Sequence, residues 1–250
     1  LIELCLTMAY DAKVNYMDVL GSVKYWDILI YNELRKKNIV IPQKIQREKS
    51  EKFEGAYVKD PIVGLHKWVM SFDLNSLYPH LIMQYNISPE TLVADEKVKN
   101  MSVEKLLNKE VDTSILKDAT MTPNGALFKT TQKGFLPELM QKMYDDRVKF
   151  KQLMIEAQKD YEKTKDPKLQ KTIAKFNNIQ MAKKISLNSA YGAIGNVWFR
   201  YYNLLVAEAI TTSGQLAIRY IEHALNEYLN KILNTRGEDY IIASDTDSVY

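Results

Sequence analysis

The sequence predicts an α+β fold: a small antiparallel sheet packed on helices, plus a long antiparallel helical hairpin. Three observations lead there. Long stretches repeat apolar residues at three- and four-residue steps, the mark of helices with one buried face. Asp166-Pro167 interrupts two of these stretches and folds them into a hairpin. Short apolar runs ending in Asp73 and before Asp245 have strand character. A length of 250 residues accommodates one large domain or two small ones.

Residues 1–37 are helical in pattern with few breakers. Val40 to Asp60, with Pro42 and the charged run Arg47–Glu51, reads as a connector into Gly55-Ala56-Tyr57-Val58. In Trp68-Val69-Met70-Ser71-Phe72-Asp73, Trp68, Met70 and Phe72 share one face, which predicts a half-buried strand. Asn75-Ser76 then signals a helix start, and the helix runs to Tyr85 with Pro79 tolerated in its first turn. Residues 93–133, polar and punctuated by Pro123-Asn124-Gly125, read as irregular. Helices follow from Pro137 to about Lys165 and from Lys168 to about Tyr191. In the last long helix, Leu204 to Leu233, one face is expected to hold Ala207, Ile210, Gly214, Ala217, Ile221, Ala224, Tyr228 and Ile232. Tyr240-Ile241-Ile242-Ala243 reads as a strand, Ser244 to Asp247 as a turn and Ser248-Val249-Tyr250 as the return strand.

Charge is unevenly spread. The net charge is +3, but residues 134–184 hold 12 Lys/Arg against 7 Asp/Glu, leaving 22 against 24 for the remainder. A basic half suits phosphates and an acidic half suits metal ions; lysine-rich helices also serve simply as a solvated face. Cys5 is the only cysteine, so no intrachain disulfide forms, which suits a reducing cytoplasm. No apolar run reaches the ~18 residues of a membrane span, and Glu3 argues against a signal peptide. A start at Leu1 and an end at Tyr250, directly after an acidic motif, read as truncations.

The chemistry is carried by acids and by two helix faces. In extended backbone, residues two apart project to one side, so Asp245 and Asp247 would meet there. Paired carboxylates repel unless a cation lies between them, and Mg²⁺ is held by one or two carboxylates plus phosphate oxygens. Alone this signal is weak, because many Asp-x-Asp triplets are simply polar turns. Asp73 closes another strand; it is either a helix N-cap or a third carboxylate completing a two-cation cradle for in-line phosphoryl displacement. Arg147 lies on the otherwise apolar stripe Leu136, Met140, Met143, Phe150, Met154, Ala157 and Tyr161. Such a guanidinium needs a phosphate, an acid on the facing helix, or a route to water. Lys184, Asn188 and Tyr191 share one face, either an ordinary polar stripe or a charge, an amide and an aromatic plate for a nucleotide.

These pieces resemble a family. Asp73-Leu74-Asn75-Ser76-Leu77-Tyr78-Pro79, Lys184-Ile185-Ser186-Leu187-Asn188-Ser189-Ala190-Tyr191-Gly192 and Asp245-Thr246-Asp247-Ser248 are similar, in order and spacing, to three motifs of the B-family DNA polymerases. Asn86 to Thr91 and Asn196 to Tyr202 are similar to the polymerases of T-even-like bacteriophages. The likeness covers nearly the whole chain. It implies a remnant of the exonuclease-to-palm connection over residues 1–66 and palm over 67–133. Fingers would span 134–196 and a second part of the palm 197–250.

The resemblance also implies roles. Asp73 and Asp247, closed by Asp245 and joined by the Leu74 backbone, would hold two Mg²⁺ ions, with Mn²⁺ as a substitute. Ser76 and Leu77 would touch the triphosphate of a dNTP, and Tyr78 would stack under the deoxyribose and exclude a 2′-hydroxyl. Arg147 and Lys184 would grip the β and γ phosphates on fingers closure. Asn188 would contact the nucleotide, and Ser189, Tyr191 and Gly192 would line the nascent base pair and template. Partners would be primer-template DNA and, through regions outside this sequence, a sliding clamp and other replisome proteins, with no membrane. The setting would be the cytoplasm of an infected bacterium. Two departures stand out: Ala243-Ser244 replaces the family's Tyr-Gly, and Gly55-Ala56 replaces Gly-Gly. The first leaves the carboxylates in place but removes a tyrosine that supports the primer terminus. An Asp-x-Asp glycosyltransferase would not need the hairpin bearing Arg147, Lys184 and Asn188, and a binding-only relative would not need three carboxylates.

Overall fold

In the computed structural model, the described residues are 1–45, 53–93, 97–112, 114 and 116–250. The charged run Arg47–Glu51 lies outside them. The chain is of mixed α+β class and divides into two compact units, Leu1–Ser50 with Phe135–Asn203, and Glu51–Gly134 with Leu204–Tyr250.

The first unit is helical. It contains α1 (Ile2–Ala12), α2 (Ser22–Lys36), α5 (Phe135–Thr164) and α6 (Pro167–Ile194). Lys165 takes the left-handed conformation at φ 54° and ends α5. Asp166 then caps α6 by accepting the Lys168 N–H at 2.9 Å, with Pro167 following where its missing donor costs nothing. The two helices form the expected hairpin, joined along their length by contacts such as Phe150 against Phe176, 6.0 Å between ring centres. The predicted α5 stripe is buried at Leu136, Met140, Met143, Arg147 and Ala157 and half-buried at Phe150, Met154 and Tyr161. Helices α1 and α2 pack on α6, where Trp26, Tyr25 and Ile30 join Leu187 in the core.

The second unit is a sheet against helices. Strands β1 (Val58–Lys59), β2 (Phe72–Asp73), β5 (Ser244–Asp245) and β6 (Ser248–Val249) pair antiparallel in the order β1-β5-β6-β2. The register makes two rows across the sheet: Val58, Asp245, Ser248 and Asp73, then Lys59, Ser244, Val249 and Phe72. Residues in one row share a face. Helix α7 (Leu204–Leu233) packs through Ile218 against Val249 of the second row and Ile241. Helices α3 (Leu77–Gln84) and α4 (Val103–Leu107) lie against α7.

Four expectations need correction. The strand predicted over 68–73 is only Phe72–Asp73; Trp68 is 97% exposed at φ 60°, and Met70 and Phe72 are also exposed. Alternation predicts a strand only where one face is covered, and β2 is an edge strand. Tyr240–Ala243 is not a regular strand: Ile242 donates to the Tyr250 carbonyl and accepts from Ile62, while the Tyr250 N–H goes to Ala243. Two residues thus oppose one, and the ladder is interrupted as at a bulge. Residues 93–133 contain α4 and a hairpin, β3 (Ala119–Met121) with β4 (Leu127–Lys129), turned at Gly125. There φ is +85° and a Cβ would lie 2.5 Å from the Val98 carbonyl, so only glycine fits. Finally, Ala224, Tyr228 and Ile232 of α7 are exposed, and the buried line instead continues through Ile218 and Glu222 with Leu225 half-buried.

Candidate active site

The acidic hairpin is built by its turn. Asp245 ends β5, Thr246 and Asp247 form the loop, and Ser248 begins β6. Thr246 has φ +55°, unusual for a β-branched residue, and the Asp247 N–H reaches back to the Asp245 carbonyl at 2.6 Å. Holding such a conformation costs on the order of 1–3 kcal/mol. The surrounding bonds fix it: Thr246 N–H to the Tyr57 carbonyl at 3.0 Å, Leu74 N–H to the Asp247 carbonyl at 2.7 Å, and the Thr246 hydroxyl to the Asp245 carboxylate at 2.8 Å. The side-by-side placement of Asp245 and Asp247 therefore comes from a tight turn and not from extended alternation.

Asp73 reaches the same edge through the sheet. Asp73 and Asp245 both pair with Ser248, from opposite sides, so they project from one face about 10 Å apart at Cα, two strand spacings. Both are exposed, and Asp247 is half-buried beside them. Burial, then the Asp73 charge and the Asp245 charge, push the Asp247 carboxyl above its usual range, partly offset by a backbone hydrogen bond. Among the described residues, no group of three or more His, Cys, Asp or Glu side chains is gathered closely enough to hold a metal ion. The donor chemistry nevertheless suits a hard divalent cation, since all three side chains offer carboxylate oxygens and Asp247 lies within reach of the charges of the other two.

The residues after Asp73 enter α3. Asp73 does not cap this helix. Ser76 occupies the cap position at φ 54°, its hydroxyl bonded to Asn75 Oδ1 at 3.2 Å. Leu77 is buried and Tyr78 half-buried. The Tyr78 ring lies over Gly214 of α7, where a Cβ would come within 2.8 Å of Cε1.

The second candidate set belongs to the helical unit. Lys184, Ile185 and Asn188 form an exposed face of α6, and Gly192 is exposed beyond them. Tyr191 is half-buried, and burial raises its hydroxyl pKa. The neighbouring Lys183 is buried and bonded to Asp11, with Asp146 at 3.4 Å, whereas Lys184 pairs with no acid among the described residues. Arg147 is 9% exposed on α5. The Ser189 hydroxyl is engaged inside the unit, accepting from Trp26 Nε1 at 3.0 Å and donating to the Ser186 carbonyl at 2.9 Å.

Two phage-like segments play structural parts. Asn86 donates to the carbonyls of Lys129 and Gln132 and accepts from the Gly134 N–H. Arg200 forks onto Asp27 at 2.8 and 3.2 Å and reaches the Pro42 carbonyl. Sequence reasoning missed Glu222, which is 7% exposed and accepts from the hydroxyls of Ser244 and Tyr57, because an acid within an apolar helix reads as its wet face. Ser244 itself was visible as a departure from the family's glycine.

Residues 22–250 match the profile of DNA polymerase family B. The chain is 36% identical to the DNA-directed DNA polymerase of Escherichia phage RB69 and 35% identical to that of Enterobacteria phage T4. Each alignment covers all of this chain and 32% of the relative, so the chain spans about a third of those proteins' length. Its fold matches the structure of the family B DNA polymerase from the hyperthermophilic archaeon Pyrobaculum calidifontis with a TM-score of 0.64 and 23% identity, over 99% of this chain and 28% of that one. No helix among the described residues is long and apolar enough to cross a membrane. With a profile match over residues 22–250, this chain belongs to DNA polymerase family B.

Proposed function

We propose that this chain carries the catalytic core of a phage replicative polymerase, extending a DNA primer on a template by adding dNTPs and releasing pyrophosphate. The observation that carries the reading is the acidic edge of the second unit, where Asp73 and Asp245 project from one row and both raise the Asp247 carboxyl pKa. In this reading the second unit is palm and the α5–α6 hairpin is fingers.

Asp73 and Asp247, with Asp245 and the Leu74 carbonyl, would hold two Mg²⁺ or Mn²⁺ ions. When bound, such a pair acidifies the primer 3′-hydroxyl and neutralises the charge of the departing pyrophosphate. The protein's own residues do the rest. Ser76 and the Leu77 N–H, at the amino end of α3, receive triphosphate oxygens, as helix N-termini do. Tyr78, backed by Gly214, lies under the sugar and leaves no room for a 2′-hydroxyl. Lys184, an exposed cation, and Arg147 bind the β and γ phosphates. Asn188, Tyr191 and Gly192 line the new base pair; Ser189 supports that face from within, through its bond to Trp26. Primer-template DNA and dNTPs are the substrates, a sliding clamp and other replisome proteins the partners, and the cytoplasm of an infected bacterium the setting.

The test is Asp247→Ala in the polymerase that contains this chain. Primer extension should fall by about 10²–10³-fold, the several kcal/mol a divalent cation contributes. Affinity for primer-template should stay within about twofold of the unsubstituted protein. Extension that survives the substitution would overturn the reading.

A further inference from the structure

We propose that Glu222 is a positioning residue, a buried acidic strut that holds the Asp245–Asp247 turn in shape for its cation. The inference rests on the assignment of those aspartates to a divalent ion. It starts from the two rows of the sheet. Ser244 and Asp245 are neighbours on β5, so their side chains leave opposite faces. Asp245 is exposed; Ser244 is 1% exposed and directed toward α7, where its hydroxyl donates to the Glu222 carboxylate.

The second oxygen of Glu222 lies 3.4 Å from the Tyr57 hydroxyl. Tyr57 meets the turn from its other end, since its carbonyl accepts the Thr246 N–H at 3.0 Å. Arg219, one helical turn before Glu222, sits over the Tyr57 ring at 5.5 Å and is bonded to Glu104 at 2.6 Å. One carboxylate on a rigid helix therefore grips both the strand entering the turn and the segment flanking it. The turn needs this support because Thr246 holds a left-handed conformation that its side chain disfavours. In the family pattern the Ser244 position is glycine, which has no hydroxyl to donate, so the bond is a property of this chain.

A strut behind metal ligands acts as outer-sphere partners do, and their loss typically weakens metal affinity about 10- to 100-fold. The test is Mn²⁺ titration of the full chain, read by electron paramagnetic resonance. Ser244→Ala and Glu222→Ala should each weaken Mn²⁺ binding about tenfold, with Glu222→Gln, which keeps an acceptor for Ser244, close to the unsubstituted chain. Asp247→Asn should weaken it more than either. Amide hydrogen exchange at Thr246 should speed up in the two alanine variants. If Glu222→Ala does not fold, Ser244→Ala decides, because it removes one hydroxyl and no volume to speak of. Folded alanine variants with unchanged Mn²⁺ affinity overturn the strut and leave the cation site standing. A chain whose Mn²⁺ binding is indifferent to Asp247→Asn overturns the cation site, and the strut with it.

Discussion

The two units solve opposite problems. The helical unit places its candidate residues on long regular elements: α5 and α6 run 30 and 28 residues, and Lys184 and Asn188 lie one turn apart on one of them. The sheet unit places its carboxylates on strands of two residues each and a turn with a left-handed threonine. Regular elements fix a side chain by periodicity. Short ones fix it through neighbours, here the Tyr57 carbonyl, the Leu74 N–H and Glu222. Damage to the buried faces of the helices should therefore appear as lost stability, and damage to the exposed carboxylates of the sheet unit as lost function with a small change in stability.

The sharpest break of that comparison is Trp26→Ala in the helical unit. Trp26 is 1% exposed, and its indole N–H bonds the Ser189 hydroxyl. Truncation should cost about 3–5 kcal/mol, measured by chemical denaturation. A loss below about 1 kcal/mol would show that α2 contributes little to holding α6.

Next in size is Gly214→Ala in the sheet unit. Its Cβ would come within 2.8 Å of the Tyr78 ring, so the ring must move. The expected stability cost is about 1–3 kcal/mol. The more telling readout is sugar selection: if Tyr78 is the gate, ribonucleotide incorporation by the polymerase should rise when its seat is displaced. An unchanged dNTP-to-NTP ratio with a shifted ring would remove Tyr78 from that role.

The same contrast explains what was legible in the sequence. The boundaries of α5, α6 and α7 followed from periodicity, Asp166-Pro167 and helix length, since long elements average over local exceptions. The strand expected at Trp68–Asp73 failed because alternation does not say whether a face is covered. The turn expected over Ser244 to Asp247 takes in only Thr246 and Asp247, with Ser244 and Asp245 in β5, so the turn and not extended alternation sets Asp247 beside Asp245. Glu222 escaped notice because burial of an acid depends on a hydroxyl 22 residues away, on Ser244, and on Tyr57, 165 residues away. Tertiary pairing of that kind leaves no local pattern.

The smallest expected effect separates function from stability most cleanly. The folded state raises the Asp247 carboxyl pKa above its ordinary value of 3.8, through burial and the charges of Asp73 and Asp245. At pH 7 the folded chain must hold this group ionised in an unfavourable place, while the unfolded chain holds it freely, so Asp247 subtracts stability there. The subtraction fades as the pH falls through the raised pKa toward 3.8, because the folded state then takes up its proton first. In metal-free buffer at pH 7, Asp247→Asn should therefore raise Tm by about 1–3 °C, with the difference closing as the pH falls toward 4. Millimolar Mg²⁺ should raise the Tm of the unsubstituted chain and leave that of Asp247→Asn nearly still, since only a state that binds the ion is stabilised by it. A Tm lowered by Asp247→Asn would mean that this carboxylate is held for the fold; a Tm raised by the substitution and matched by Mg²⁺ would mean that it is held for the ion, at the fold's expense.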